Sequence, residues 1–406
     1  MTNSHATNLP LVTVVIPTYN RAHLVTEAIE SALGQTYPNL EIIVVNDGSS
    51  DETERVVTEG YGDRVTYVRQ ENRGLAGARN TGIRAGHGDY FAFHDDDDLW
   101  VSSKLEKQLA QLQAHPECAL AYCACLEADT EGRSTGRLYL HSGKGRTGDN
   151  LGLLLKRTGI LPSSVVVPKW CLERIGLFDE QLRVCEDTDF FLRVYLRHPA
   201  AYLREPLVLM RTHGEQKSRT DPKLRNFQAH AHIMSKALEI LPPERERFRP
   251  LLVRELIWAK LRGLQMRAEG LAWADLAGEL IEIIRSAQDL RYLHRICGWV
   301  ADLVAAWSRA QNPPALPSGE QVTCLARAIA AEAGGRGHSR QAWQAGVYAA
   351  LAMSWLGRGT LGRAAGAGAR AKLTHLPVAL AHFAWEVIRA ARGRQGGLAR
   401  PRLSRQ

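Results

Sequence analysis

Short runs of β-branched and apolar residues alternate with amphipathic stretches over the first 220 residues. Leu11 to Pro17 has the composition of a buried strand, and apolar residues at helical spacing follow it as far as Gly34. Glu41 to Val45 predicts a second strand, and Tyr90 to Phe93 predicts a later one. Strands joined through helices form parallel, buried sheets. The pattern therefore predicts an α/β domain with a Rossmann-like, mostly parallel sheet flanked by helices.

Polar residues follow three of these strands at the point where each one ends. In α/β sheets ligands bind beside the carboxyl ends of the strands, in the loops that lead into helices. This predicts a binding site made of the residues after the first, second and fourth strands, which are Thr18, Tyr19 and Asn20, then Asn46 and Asp47, then Asp95 to Asp98.

The α/β pattern loosens after Ala114, and the composition changes after residue 220. A strand from Arg137 to His141, a helix from about Asp189 and a last strand from Pro206 to Arg211 are predicted before the α/β unit ends. We place that unit at residues 10–220. Helical periodicity in an Ala, Leu, Arg and Gly background then predicts an all-α domain over 221–388, followed by a basic tail, 389–406, with six arginines and no acid.

Composition narrows the class of protein. Of the 406 residues 45% are hydrophobic and 23% charged, which excludes a mainly disordered chain. Seven cysteines occur without a CxxC pair, which argues against a disulfide framework or a structural zinc site. The polar N-terminus lacks a secretory signal, and no uncharged apolar run reaches the ~18 residues of a membrane span. We expect a cytoplasmic protein.

Four consecutive carboxylates, Asp95 to Asp98, follow an apolar strand directly. Such a run is electrostatically costly unless a cation or several backbone donors neutralise it. The run is not needed as a helix cap, because Ser103 and Glu106 form a predicted capping box for the next helix. A divalent cation is the favoured interpretation, and a solvated turn is the alternative.

Three further motifs have a structural and a functional interpretation each. Asp47 could accept hydrogen bonds from a nucleobase or ribose, or could serve the turn. Small residues around Arg79 would let a helix approach the sheet closely, while the arginine offers planar donors to an anion or base. Glu186 and Asp187 place acids at a helix start, which is also common charge complementarity. The GxGxxG spacing is missing, so a Rossmann dehydrogenase is disfavoured.

Together the strings VTVVIPTYNR, VVNDGSSDET, NRGLAGARNTGI, DYFAFHDDDDLW and GLFDEQLRVCEDTDFFLR resemble the family 2 glycosyltransferases of the GT-A fold, over residues 10 to 220. The resemblance implies inverting transfer of a sugar from a nucleotide diphosphate donor, a UDP-sugar being the expected one. It implies a Mn²⁺ or Mg²⁺ ion, and it assigns roles by motif. These are nucleoside contacts for Pro17, Thr18, Tyr19, Asp47 and Arg79, a ribose contact for Asp96, metal ligation by Asp95, Asp97 and His213, and the catalytic base for Asp187.

One position departs from the family pattern, because His94 stands where an apolar residue is usual. We expect its side chain to pack rather than to reach the donor.

Two other functions compete with the transferase. A sugar-nucleotide-forming nucleotidyltransferase would also join a nucleotide pocket to metal carboxylates, but the chain lacks a Gly-rich basic loop after its first strand. A non-catalytic nucleotide-sugar-binding module is the second alternative.

The partners expected of the transferase are the donor and a glycan or lipid-linked acceptor used in cell-surface polysaccharide assembly. The arginines of the helical half could face an anionic membrane, an acidic glycan or solvent. Because many family 2 enzymes act on lipid-linked acceptors, the resemblance implies peripheral contact with an anionic membrane, at the inner face of the plasma membrane. No nucleic acid is expected.

Overall fold

The structure, a computed structural model, describes residues 9–139, 145–155, 160–212, 223–268, 271–285 and 303. The chain divides into two compact units, Met1–Leu252 and Val253–Gln406. The domain bounds expected at residues 220 and 388 stay predictions. The basic tail and His213 lie outside the described residues.

The first half of the sheet is parallel throughout. Its strands lie side by side in the order β3-β2-β1-β4, and each connection passes through a helix. This confirms the predicted alternation. The elements are β1 (Val12–Thr18), α1 (Ala22–Leu33), β2 (Leu40–Asn46), α2 (Thr53–Tyr61), β3 (Thr66–Arg69), α3 (Gly74–Ala85) and β4 (Tyr90–Phe93).

The second half continues the same sheet with antiparallel pairs. Its order beyond β4 is β8-β6-β9-β5, with β7 on β6, and only β6 and β9 are parallel there. The result is a mixed sheet flanked by helices. The elements are β5 (Leu99–Trp100), α4 (Lys104–Ala114), β6 (Ala121–Ala128), β7 (Ser134–Leu138), α5 (Leu151–Leu154), β8 (Val165–Pro168), α6 (Lys169–Ile175), α7 (Glu186–Tyr195) and β9 (Ala201–Arg211).

Several predicted boundaries were wrong in this second half. Strand β7 ends at Leu138, α7 begins at Glu186 rather than near Asp189, and β9 begins at Ala201. The predicted capping box of α4 was also wrong. Ser103 precedes the helix but makes no capping bond through its side chain, and the Glu106 carboxylate accepts a hydrogen bond from Thr36 Oγ1 at 2.7 Å.

Both faces of the parallel half are covered by helices, and every residue of β1 is buried. Helix α3 lies unusually close to β1, since a Cβ on Gly82 would fall 2.3 Å from Val15 Cγ1. This close approach confirms the expectation drawn from the small residues of α3. It sets the position of Arg79, which lies on the same helix.

Described residues beyond Thr212 are mostly helical, in α8 (Lys223–Glu239), α9 (Arg249–Arg267) and α10 (Trp273–Arg285). Helix α8 belongs to the first unit and contacts the α/β part of it through Lys236, whose ammonium group lies 2.9 Å from Asp179 and 3.1 Å from Asp189. Within the described part of the chain, no helix is both long and apolar enough to cross a membrane.

Candidate active site

A cavity of about 680 Å³ is lined by the residues that follow β1, β2 and β4. Asn46 was also predicted for this site but is not among the lining residues; its side chain bonds to Tyr67 Oη and to the Ser49 N–H. The cavity does contain every described residue to which the family resemblance assigns a role. The members are Pro17, Thr18, Tyr19, Asp47, Arg79, Asp95, Asp96, Asp97 and Asp187. Asp97 and Asp187 therefore line one cavity, although they come from distant parts of the chain. The assigned roles of these residues stay predictions.

Asp47 is almost fully buried and holds the turn that leads into α3. Its carboxylate accepts hydrogen bonds from Gln70 Nε2 at 2.6 Å and from the backbone N–H groups of Arg73 and Gly74, both at 2.8 Å. The structural role considered for Asp47 is thus present. Tyr19, by contrast, is 48% exposed and offers an aromatic ring at the cavity wall, which suits stacking against a base.

Guanidinium groups lie against the acidic run. Arg21 Nη1 donates to Asp96 Oδ1 at 2.7 Å and to Asp97 Oδ2 at 3.0 Å. Burial, opposed by Arg21, raises the pKa of Asp96 to about 7. Burial and the neighbouring carboxylates also raise the pKa of Asp98 well above its ordinary value. Neither interpretation drawn from the sequence, a divalent cation or a solvated turn, included the arginines that contact this run.

Arg79 joins two carboxylates that are far apart in sequence. Its side chain is 1% exposed, its Nη2 lies 2.7 Å from Asp95 Oδ1 and its Nη1 lies 2.7 Å from Glu186 Oε1. The guanidinium also lies over the Phe178 ring, 5.4 Å from its centroid. The buried Nε has no hydrogen-bond partner in the described part of the chain. The nucleoside contact expected of Arg79 stays a prediction.

Asp187 stands in the first turn of α7, where the helix dipole favours a negative charge. Cys185 precedes the helix with a left-handed φ of 60° and turns the chain into it. Burial and the neighbouring Glu186 raise the pKa of Asp187 to about 6, while Arg79 opposes the shift. A carboxylate with this pKa is ionised at neutral pH and remains basic enough to accept a proton.

His94 packs beneath the acidic run, as expected. It is fully buried, stacks on Trp100 with ring centroids 4.1 Å apart, and shares a 2.9 Å hydrogen bond between Nε2 and Ser31 Oγ. Burial, helped by the charge of Lys104, lowers the pKa of His94 to about 3. The imidazole is therefore neutral and has no acid–base role at ordinary pH.

The carboxylates of the site suit a hard divalent cation that takes only part of its ligands from the protein. Asp95 and Asp97 are partly exposed carboxylates on the cavity wall. Among the described residues, no group of three or more His, Cys, Asp or Glu side chains is arranged to hold a metal. Mg²⁺ commonly takes one or two carboxylates and completes its shell with substrate phosphates and water. The residues fit a cation shared with a diphosphate substrate.

Sequence reasoning missed several residues of the cavity. Arg21 lies directly after the first polar turn, yet its pairing with Asp96 and Asp97 joins segments that the sequence does not connect. Glu186 was noted only as a helix-start acid. The wall also includes Tyr139, Arg183 and Arg225, for which no sequence signal was found.

A profile described as Glycosyl transferase family 2 matches residues 13–163. An uncharacterized glycosyltransferase of Rickettsia prowazekii (strain Madrid E) is 33% identical over 237 residues, covering 58% of this chain and 74% of that protein. The chain belongs to glycosyltransferase family 2.

Two further relatives have more informative names. The putative colanic acid biosynthesis glycosyl transferase WcaA of Escherichia coli (strain K12) is 30% identical over 237 residues, covering 56% of this chain and 82% of that protein. An Escherichia coli UDP-Glc:alpha-D-GlcNAc-diphosphoundecaprenol beta-1,3-glucosyltransferase, WfgD, is 41% identical over 103 residues, covering 25% of this chain and 41% of that protein. One relative is thus named for colanic acid biosynthesis and the other for glucosyl transfer to a diphosphoundecaprenol-linked sugar.

Solved structures show the same fold. The crystal structure of S. aureus TarS 1-349 in complex with UDP-GlcNAc has a TM-score of 0.59 with 16% identity, covering 86% of this chain and 92% of that chain. At this identity the likeness establishes the GT-A architecture alone.

Proposed function

We propose that the protein is a metal-dependent inverting glycosyltransferase. It would transfer a sugar from a UDP-sugar to a hydroxyl of a glycan or lipid-linked acceptor in cell-surface polysaccharide or glycoconjugate assembly. The observation that carries the proposal is the cavity that contains both Asp97 and Asp187. The name of WfgD, with a UDP-linked donor and a diphosphoundecaprenol-linked acceptor, supports this choice of substrates.

The donor would bind on the parallel side of the cavity. Pro17, Thr18, Tyr19 and Asp47 line the wall that the nucleoside would contact, and Asp96 would contact the ribose. The exposed Tyr19 ring supports stacking, since aromatic faces bind bases with little sequence preference.

Asp95 and Asp97 would hold a Mn²⁺ or Mg²⁺ ion, with Asp97 the better candidate for direct coordination; the proposed ligand His213 lies outside the described residues. When bound, such an ion stabilises negative charge on a departing diphosphate as a Lewis acid. Arg21 bridges Asp96 and Asp97, so its charge limits the repulsion between these carboxylates. The arginine would favour the ionised form of Asp96 and orient the carboxylates of Asp96 and Asp97.

Asp187 would act on the acceptor. Its carboxylate takes the proton of the acceptor hydroxyl while that oxygen attacks the anomeric carbon, and the bond to the diphosphate breaks with its electron pair leaving on the nucleoside diphosphate. Attack from the face opposite the leaving group inverts the anomeric configuration. Because the sugar never bonds to the enzyme, one carboxylate suffices, whereas a glycosidase requires two.

A turnover assay tests the proposal against both alternatives. The protein is incubated with a panel of nucleotide sugars, Mn²⁺ or Mg²⁺, and glycan or lipid-diphosphate acceptors, and the released products are identified. Acceptor-dependent release of a nucleoside diphosphate is the expected result. Release of pyrophosphate from a nucleoside triphosphate and a sugar phosphate would indicate a nucleotidyltransferase, and saturable binding without turnover would indicate a binding module.

A lipid-linked acceptor would bring the enzyme to a membrane surface. The expected peripheral contact is electrostatic, so it should weaken as salt screens the charges. Flotation with anionic liposomes at low and high salt tests it, and absence of binding at low salt would exclude the contact.

A further inference from the structure

Arg79 lies where the two sides of the proposed site meet. Its guanidinium bridges Asp95, which follows β4, and Glu186, which begins α7 and precedes Asp187. We infer that Arg79 is a positioning residue, and this inference rests on the proposed function. Arg79 holds α7, which carries the proposed base Asp187, in a fixed position relative to Asp95 on the donor side of the cavity. This role differs from the nucleoside contact that the family resemblance implies.

The geometry of the bridge is specific to arginine. The two terminal nitrogens lie 2.7 Å from carboxylate oxygens of different segments, and the side chain is 1% exposed. A planar guanidinium can direct two hydrogen bonds along fixed, divergent directions, whereas an ammonium is a point charge on a flexible stem. Lysine at this position would keep the charge and lose one of the two directed contacts.

Neighbouring residues make the bridge part of a rigid frame. Asn80, the next residue of α3, donates from Nδ2 to the Phe178 carbonyl oxygen at 2.9 Å and accepts from the Phe178 N–H at 3.0 Å. The same helix is pressed onto β1 at Gly82. Helix α3 is therefore fixed to the sheet on one side and to the segment before α7 on the other. The backbone that carries Arg79 is held in place by both contacts.

The same contacts argue against a nucleoside contact as the main role. Both terminal nitrogens are engaged by carboxylates, and almost none of the side chain is accessible. Only the buried Nε has no described partner. A positioning residue and a nucleoside ligand predict different losses on substitution, which makes the two roles separable by experiment.

Charges around Asp187 add a second readout. Burial, Glu186 and Asp95 raise the pKa of Asp187, whereas Arg79 and the backbone N–H of Thr188 lower it. Tyr139 and Arg183 face the same cavity. Loss of the arginine charge in Arg79→Met should move the acidic limb of kcat/KM to higher pH, and Glu186→Gln should move it to lower pH. Arg79→Lys, which keeps the charge, should leave the limb near its original position.

The decisive experiment compares Arg79→Lys with Arg84→Gln in the full chain. Arg84 lies on the same helix with 53% of its side chain exposed, and its ion pair with Glu180 spans 3.2 Å. We expect Arg79→Lys to lower kcat by roughly 10- to 100-fold, because small misplacements of a catalytic group have effects of this size. The Kd of UDP, measured by calorimetry, should stay within about threefold of wild type. Arg84→Gln should change neither quantity.

A fall in UDP affinity comparable to the fall in kcat would overturn the inference and support the nucleoside contact. Unchanged kcat in Arg79→Lys would overturn it as well. If Arg79→Met fails to fold, the pair Arg79→Lys and Glu186→Gln still decides the matter through kcat, UDP affinity and the pH profile. Failure of the proposed function has a different signature, since the wild-type protein would then show no transfer from any nucleotide sugar.

Discussion

The two halves of the sheet differ in how their strands relate to the site. In the parallel half, β1, β2 and β4 end at one edge, and each delivers polar residues to the cavity there. In the antiparallel half, Asp187 comes from the first turn of α7 instead. The position of the proposed donor site therefore follows from regular topology, whereas the position of the proposed base depends on long-range contacts that hold α7 in place.

The largest expected effect comes from removal of the proposed base Asp187, which should separate transfer from donor binding. Asp187→Asn should lower the transfer rate by about 10² to 10⁴, the usual contribution of general base catalysis. UDP affinity should stay near wild type, because the residue acts on the acceptor. Steady-state transfer and calorimetry measure the two quantities. Asp63→Asn, an exposed acid outside the cavity lining, is the control. An equal loss of donor binding would contradict the assignment.

Asp97→Ala tests metal-dependent donor binding, which we assign to the parallel half of the sheet. Donor affinity in the presence of Mn²⁺ or Mg²⁺ should fall by roughly 10- to 100-fold, since a ligand to the cation is lost. Affinity measured in EDTA should change much less. Titration of the donor with and without the cation provides both values. If the affinity with the cation present is unchanged, Asp97 does not hold the metal.

The pH dependence of kcat/KM tests the role of Asp187 on the acceptor side. Asp187 must be ionised to accept a proton, and its pKa is raised to about 6. The value of kcat/KM should therefore fall as the pH decreases through about 6, by about tenfold for each further unit. Measurement between pH 5 and 8 locates the limb. A rate independent of pH over this range would argue against Asp187 as the base.

The smallest expected effect concerns the close packing of the parallel half. Gly82→Ala would place a methyl group 2.3 Å from Val15 Cγ1, so overpacking should lower the free energy of unfolding by about 1–3 kcal/mol. Gly60→Ala is the matched control, because a Cβ on this glycine of α2 meets no atom within 4 Å. It should be neutral or slightly stabilising. Equal melting temperatures of the two variants would disprove the tight contact.

Regular features of the parallel half could be predicted from the sequence. The strands alternate with helices, their boundaries agree to within a few residues, and the acidic run falls at the end of β4. Local patterns suffice there because parallel strands are buried on both faces and read as continuous apolar runs. The packing of His94 was also predicted correctly.

Other features required contacts that no local pattern encodes. The ion pairs of Arg21 with Asp96 and of Arg79 with Glu186 join distant segments, so the sequence suggested a metal where guanidinium groups already contribute. Strand β5 has only two residues and was missed, because it exists through its pairing with β9. Ser103 and Glu106 matched a capping box by spacing alone, but Thr36 engages the glutamate.

The anomeric configuration of the product tests the central claim most directly. The proposed base Asp187 acts opposite the departing diphosphate, so the sugar of an α-linked UDP donor should appear β-linked in the product. Proton NMR of the product, through the coupling between H1 and H2, distinguishes the two configurations for gluco-configured sugars. A β linkage is the predicted result. Retention of the α configuration would contradict direct displacement with Asp187 as the base.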